Sequence, residues 1–269
     1  MKTRLLVLTL AVLCLSAGPA FAGLTAPTAP VTFGISSDSP PRSLQDVLDK
    51  ITVNPDAPHT DSGDATWTGI HDSTVNTLTD TIVDGWDSLW AIGGQGQTAA
   101  SLIIEISAYA STNTFGLYDA TDPSKKVVVF AGGATTGART VVSILLDGSV
   151  EVGFLDTGVN FAGNQFGFYL TTPQSTYYSD TARNGDSLDH MRAYQGNGTD
   201  WIQVGNTLPG VWQTNTYALG WEDLWGGGDK DYQDFVLMIE SVEPVPVPAA
   251  VLLGMLGLGA AGLRLRKRA

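Results

Sequence analysis

Cysteine is nearly absent from this sequence, and positive charge is scarce. The single cysteine is Cys14. It lies in an apolar N-terminal stretch behind Leu13 rather than the small residue a lipid-attachment site wants. With that stretch removed as an export signal, the remaining chain has no thiol. Cysteine nucleophiles, cysteine-type zinc sites and disulfide staples are thereby excluded, and stability falls to a hydrophobic core. The chain has 14 Lys and Arg against 27 Asp and Glu. Two of the basic residues (Lys2, Arg4) belong to the first segment and four (Arg264, Arg266, Lys267, Arg268) to the last, so the span between them has 8 basic and 27 acidic residues, a net −19. Such a surface repels nucleic acid and anionic lipid and attracts divalent cations. No internal repeat is present, and no Gly-x-Ser-x-Gly elbow marks a serine hydrolase.

The two ends read as addresses. Residues 1–22 combine a charged start, an apolar core from Leu5 to Leu15 and Ala20-Phe21-Ala22 before Gly23, the order of parts of a cleavable signal peptide. Residues 244–269 combine a proline-punctuated entry (Val245, Pro246, Val247, Pro248, Ala249, Ala250), an apolar glycine-rich run and the basic end. The run from Val247 to Leu263 is short for a spanning helix, which takes about 20 residues. Its basic end marks the cytoplasmic side as a membrane stop. This three-part order resembles the PEP-CTERM type of sorting signal in its Val-Pro-x-Pro-Ala-Ala form, although Pro-Glu-Pro itself is missing. The resemblance implies recognition by an exosortase-type membrane protease, a transient membrane anchor, and delivery to the bacterial envelope or an exopolysaccharide matrix. A tail anchor that stays in place is the plainer alternative.

Between the ends, residues 23–243 read as one secreted all-β domain, a β-sandwich or jelly roll with one short N-terminal helix. Ser43 is a predicted N-cap with Asp46 three residues on, and Leu44, Val47, Leu48 and Ile51 form the stripe of a helix closing one end of the core. Gly23 to about Pro41 reads either as a mature N-terminal arm or as a first edge strand around Val31–Ile35. From Ala65 on, short β-type runs alternate with Gly, Asn and Asp turns. Predicted strands include Ser101–Tyr109, Lys126–Phe130, Thr140–Leu146, Val150–Leu155, His190–Tyr194, Thr216–Trp221 and Asp234–Val242, with Asp147-Gly148 as a hairpin turn. About ten such strands suit a sandwich.

The densest constellation runs from Gly220 to Phe235. Three consecutive glycines precede Asp229, Asp231 and Asp234, and Glu222 and Asp223 can add oxygens from across the loop. Carboxylates so crowded need water or a cation between them. Calcium suits an oxygen-only set in flexible geometry, while an acidic turn capping its own backbone is the bland alternative. The segment resembles the end of a recurring bacterial secreted domain of unknown function, through Glu222, Asp223, Leu224, Gly226 to Asp229, Asp231, Tyr232, Asp234 and Val236. Departures are Trp225, Trp221 and Gln233, where that domain usually has Pro, Phe and Asn. The resemblance implies a β-rich, calcium-stabilised, exported domain of no established activity. Two other functions stay open. Trp225, beside the glycines, is a candidate platform for a sugar ring, which makes a carbohydrate-binding module one alternative. Asp180, Asp186, Asp189 and His190 invite a polysaccharide-hydrolase reading, and Asp119 with Asp122 forms a second acidic turn.

Overall fold

The computed structural model describes residues 28–33, 43–53, 72–93, 97–105, 111–205 and 207–245, with Ala29 and 97–105 as backbone only. The strands stack into two antiparallel sheets. The larger sheet runs in the order β1 (Thr28–Ala29), β2 (Thr81–Ile82), β12 (Met191–Gln195), β15 (Thr216–Trp221), β16 (Phe235–Glu240), β4 (Gln97–Glu105), β7 (Arg139–Ile144), β8 (Ser149–Val152) and β9 (Leu155–Asn160). The smaller runs β17 (Val242–Pro244), β3 (Trp90–Ile92), β10 (Gln165–Thr171), β5 (Thr114–Asp119) and β6 (Lys126–Phe130), with β11 (Thr176–Tyr178) also paired to β10. A separate hairpin joins β13 (Trp201–Ile202) to β14 (Gly210–Val211).

The main core lies between the sheets. Phe115 is its hub, with ring centroids 5.6 Å from Phe168, 5.7 Å from Phe235 and 6.0 Å from Trp221. On β15, Tyr217, Leu219 and Trp221 face this core, while Ala218 faces the opposite side of the large sheet. On β16 the division is the same, Phe235, Leu237 and Ile239 against Val236 and Met238. Each large side chain so buried contributes about 1.5–3 kcal/mol.

The second face of the large sheet is covered as well. Helix α1 (Leu44–Ile51) has the predicted capping box, with Ser43 and Asp46 bonding reciprocally. Its buried stripe packs on Tyr194, Trp212, Val236 and Met238. The helix is therefore a third layer on the outer face, not a plug at one end. Gly220 permits this approach: a Cβ there would lie 2.4 Å from the Tyr232 carbonyl oxygen and 2.9 Å from Leu44.

Three predicted strands change form. Val150–Leu155 divides into β8 and β9 because Gly153 (φ 59°) and Phe154 (φ 66°) reverse the chain. Asp234–Val242 divides at Ser241 (φ 59°), where the chain leaves the large sheet at β16 and joins the small one at β17. The edge strand expected at 31–35 is displaced to β1, and residues 34 and 35 lie outside the described residues. β17 carries the body through Pro244, and the Val245 N–H donates to the Leu89 carbonyl at 2.8 Å. The folded body thus extends past the expected boundary at residue 243. No helix among the described residues is long and apolar enough to cross a membrane. Residues 1–22, expected to be a leader, and the expected sorting segment from Pro246 onward, with Val247, Pro248, Ala249, Ala250 and Arg264 to Arg268, lie outside the described residues.

Candidate metal centre

The glycine-rich loop is the connection of the β15–β16 hairpin. Trp221 pairs with Phe235 as the last rung of that ladder, so Glu222 and Asp234 emerge opposite each other. The chain between them doubles back through left-handed backbone at Gly226, Gly227, Gly228, Lys230 and Tyr232. Asp231 is thereby returned to the other two. One carboxylate oxygen from each of Glu222, Asp231 and Asp234 lies within 4.8 Å of the others, and the residues are only 0%, 4% and 8% exposed.

Second partners fix each acid. The Lys230 N–H donates to Glu222 Oε2 (2.8 Å), the Asp223 N–H to Asp234 Oδ2 (3.0 Å), and Gln233 Nε2 to Asp231 Oδ2 (2.9 Å). Glu222 Oε1 is buried and has no hydrogen-bond partner. A Cβ on Gly228 would lie 2.0 Å from that oxygen, so the cradle admits only glycine there. Burial pushes the Glu222 carboxyl up to about 7, and the charges of Asp229 and Asp231 add to this. Burial also raises Asp234 far above the usual carboxylate range, helped by Asp223 and Glu222. Charges this close in a dry place require protons or a cation. An orphaned carboxylate oxygen and an all-oxygen set fit a hard cation.

The other loop residues take different posts. Asp223 is buried and accepts from Asn113 Nδ2 at 2.9 Å, which ties the start of β5 to the loop. Asp229 is half-buried and acts on Glu222 through its charge. Trp225 is 52% exposed at the outer rim, with its N–H donating to Gln174 Oε1. Beneath the loop, fully buried His190 meets the Glu222 carbonyl through Nδ1 and Asp186 Oδ2 through Nε2, both at 2.9 Å, and stacks on Tyr177 at 3.8 Å. Asp186 also accepts the Gly226 N–H. His190 is thus a buried strut of the loop, not a base open to a substrate. Asp180 caps the turn Thr181–Arg183 and pairs with Arg183, while Asp189 binds Arg192. Asp119 is an Asx-type turn former: burial opposes its charge, yet donors from Thr121, Ala162 and Asp122 hold its carboxyl below the usual range.

Asn113 and the Asp186–His190 strut are the parts that sequence reading did not assign to this site. Asn113 lies 110 residues before Asp223 in the chain, and no local pattern links the two.

The model of a domain of unknown function, DUF4114, matches residues 161–242, a span that holds the whole loop and its strut but less than half of the chain. No curated protein matches the chain. Among solved structures, the Chromobacterium violaceum lectin CV2L in complex with alpha-methyl-fucoside aligns with 59% of this chain and 97% of its own, at 11% identity and a TM-score of 0.27. The C-terminal domain of the BC2L-C lectin from Burkholderia cenocepacia aligns with 59% and 97%, at 15% identity and a TM-score of 0.27. At that score neither likeness informs the fold or the function.

Proposed function

We propose that this protein is a non-enzymatic β-sandwich of the bacterial cell surface or extracellular matrix, held in its working form by calcium. The observation that carries the reading is the buried Glu222–Asp231–Asp234 trio with an orphaned Glu222 oxygen aimed at the Gly228 cradle. Calcium takes six to eight oxygen ligands and tolerates irregular loops, which magnesium and zinc do not. Export rests on the leader at residues 1–22, and sorting by an exosortase-type protease rests on the PEP-CTERM-like tail. Thermal melts in EDTA and in millimolar calcium, beside Asp231→Asn, test the reading. An ion bound only by the folded state raises the midpoint by mass action. A rise in the wild type that the variant lacks supports it, and coincident melts in all conditions reduce the acids to turn formers.

A second reading is a carbohydrate-binding module, favoured by the exposed Trp225. Its ring is seated against Gly185, where a Cβ would lie 3.0 Å from Cη2, and the residue remains 52% exposed. Retention on exopolysaccharide beads should fall at least tenfold in Trp225→Ala; equal retention of the two proteins sinks this reading.

A further inference from the structure

We propose that the cleft beside the β13–β14 hairpin binds a neutral sugar unit, at a place separate from both the glycine loop and Trp225. The cleft has a volume of about 370 Å³ and lies on the outer face of the large sheet, the face to which Met238 points. β15 runs from Thr216 at the cleft to Trp221 at the glycine loop. The two places are therefore about 17 Å apart along the strand. The inference rests on neither the calcium reading nor the Trp225 reading.

The hairpin is fixed by its own attachments. Ile202 bridges to Thr52 at the end of α1, and the Gln203 N–H donates to the Ile51 carbonyl at 2.8 Å. Fully buried Trp212 donates through Nε1 to the Thr216 carbonyl at 3.0 Å. The loop after β13 rests on the turn before β7, where Gly205 (φ 60°) and Gly137 (φ 83°) meet backbone to backbone. A Cβ on Gly205 would lie 3.1 Å from the Gly137 Cα.

The lining divides by chemistry. The hairpin contributes Ile202, Val204, Leu208 and Val211, and β16 adds Met238. Ile202, Val204 and Met238 belong to the second core cluster, so this apolar part is firm. The sheet contributes Arg139, Thr216 and Glu240, while Thr207 and Gln213 add a hydroxyl and an amide. Arg139 and Glu240 come from strands on either side of β4 and pair at 3.8 Å, with side chains 46% and 44% exposed. A guanidinium only donates and a carboxylate only accepts, so a hydroxyl, which does both, suits either. The pair is net neutral: an anionic ligand would meet Glu240 and a cationic one Arg139. A wholly apolar ligand would strip water from both without compensation. A sugar ring offers what remains, an apolar C–H face for the hairpin side and a rim of hydroxyls for the pair. The volume, at the lower end for ligand pockets, suits a ligand of that size.

Saturation-transfer NMR on the full chain tests this, with the methyl glycosides of glucose, galactose, mannose and N-acetylglucosamine as probes. At least one glycoside should show transfer in the wild type. Its affinity should fall at least fivefold in Glu240→Gln and in Arg139→Gln, with melting midpoints unchanged, and should be the same in Trp225→Ala. A fall in either variant of the pair supports the cleft. Transfer to none of the four, or equal affinity in the wild type and both variants, overturns it and leaves the calcium reading intact. Transfer that depends on Trp225 and on neither member of the pair overturns the cleft in favour of the Trp225 platform.

Discussion

At the scale of single residues, the body is governed by what its buried carboxylates find as partners. Asp200 shows a satisfied one. It accepts from Ser73 Oγ at 2.9 Å, Thr74 N–H at 2.9 Å and Thr74 Oγ1 at 2.6 Å, fastening the segment before β2 to the start of β13. Burial opposes its charge, but these donors prevail and hold its carboxyl below the usual range. A depressed folded value means stability that is present above the ordinary carboxylate range and is lost as pH falls through the folded value. Asp200→Asn should therefore cost about 1.5–3 kcal/mol at pH 7. The gap to the wild type should narrow in urea melts as the pH is lowered below the ordinary carboxylate range. Gly228 makes the opposite case, a residue defined by what it lacks. Gly228→Ala places a methyl carbon against Glu222 Oε1. It should cost about 1–3 kcal/mol and weaken calcium binding, both visible in denaturant melts with and without the ion.

At the scale of elements, α1 and β17 decide how far the body extends. Leu48 is fully buried against the outer face of the large sheet, so Leu48→Ala should lose about 2–5 kcal/mol. Calcium should still bind, because the loop hangs from β15 and β16 and not from the helix; urea titration followed by calorimetry checks both. β17 pairs with β3 through Pro244, and Val245 continues the contact. Sorting-protease cleavage on the proposed reading must then fall beyond Val245, and intact-mass analysis of the exported protein should find a C-terminus past that residue. Most elements were legible in the sequence. The Asp147-Gly148 hairpin joins β7 and β8 as its turn chemistry requires, with Leu145 N–H donating to the Ser149 carbonyl at 2.9 Å. The β8–β9 break was not legible, since it places Phe154 in left-handed backbone that non-glycine residues seldom adopt.

At the scale of the whole molecule, the acidic excess and the two sheets belong to one design. With 27 acidic residues in a chain that forms no disulfide, folding must place some carboxylates near one another at the sheet ends. In EDTA the wild type should melt earlier than in calcium, and Asp231→Asn should show a smaller difference. The sequence by itself determined the class of the fold, the cap and stripe of α1, and the concentration of acids in a glycine loop, because these follow from periodicity and local turn chemistry within a few residues. The tertiary structure decided which acids meet. Glu222 and Asp234 face each other only because Trp221 pairs with Phe235. Asp223, adjacent to Glu222 in the chain, is turned instead toward Asn113. Register and sheet order are settled by which residues the shared core buries, and that information is spread over the entire chain rather than carried by any one motif.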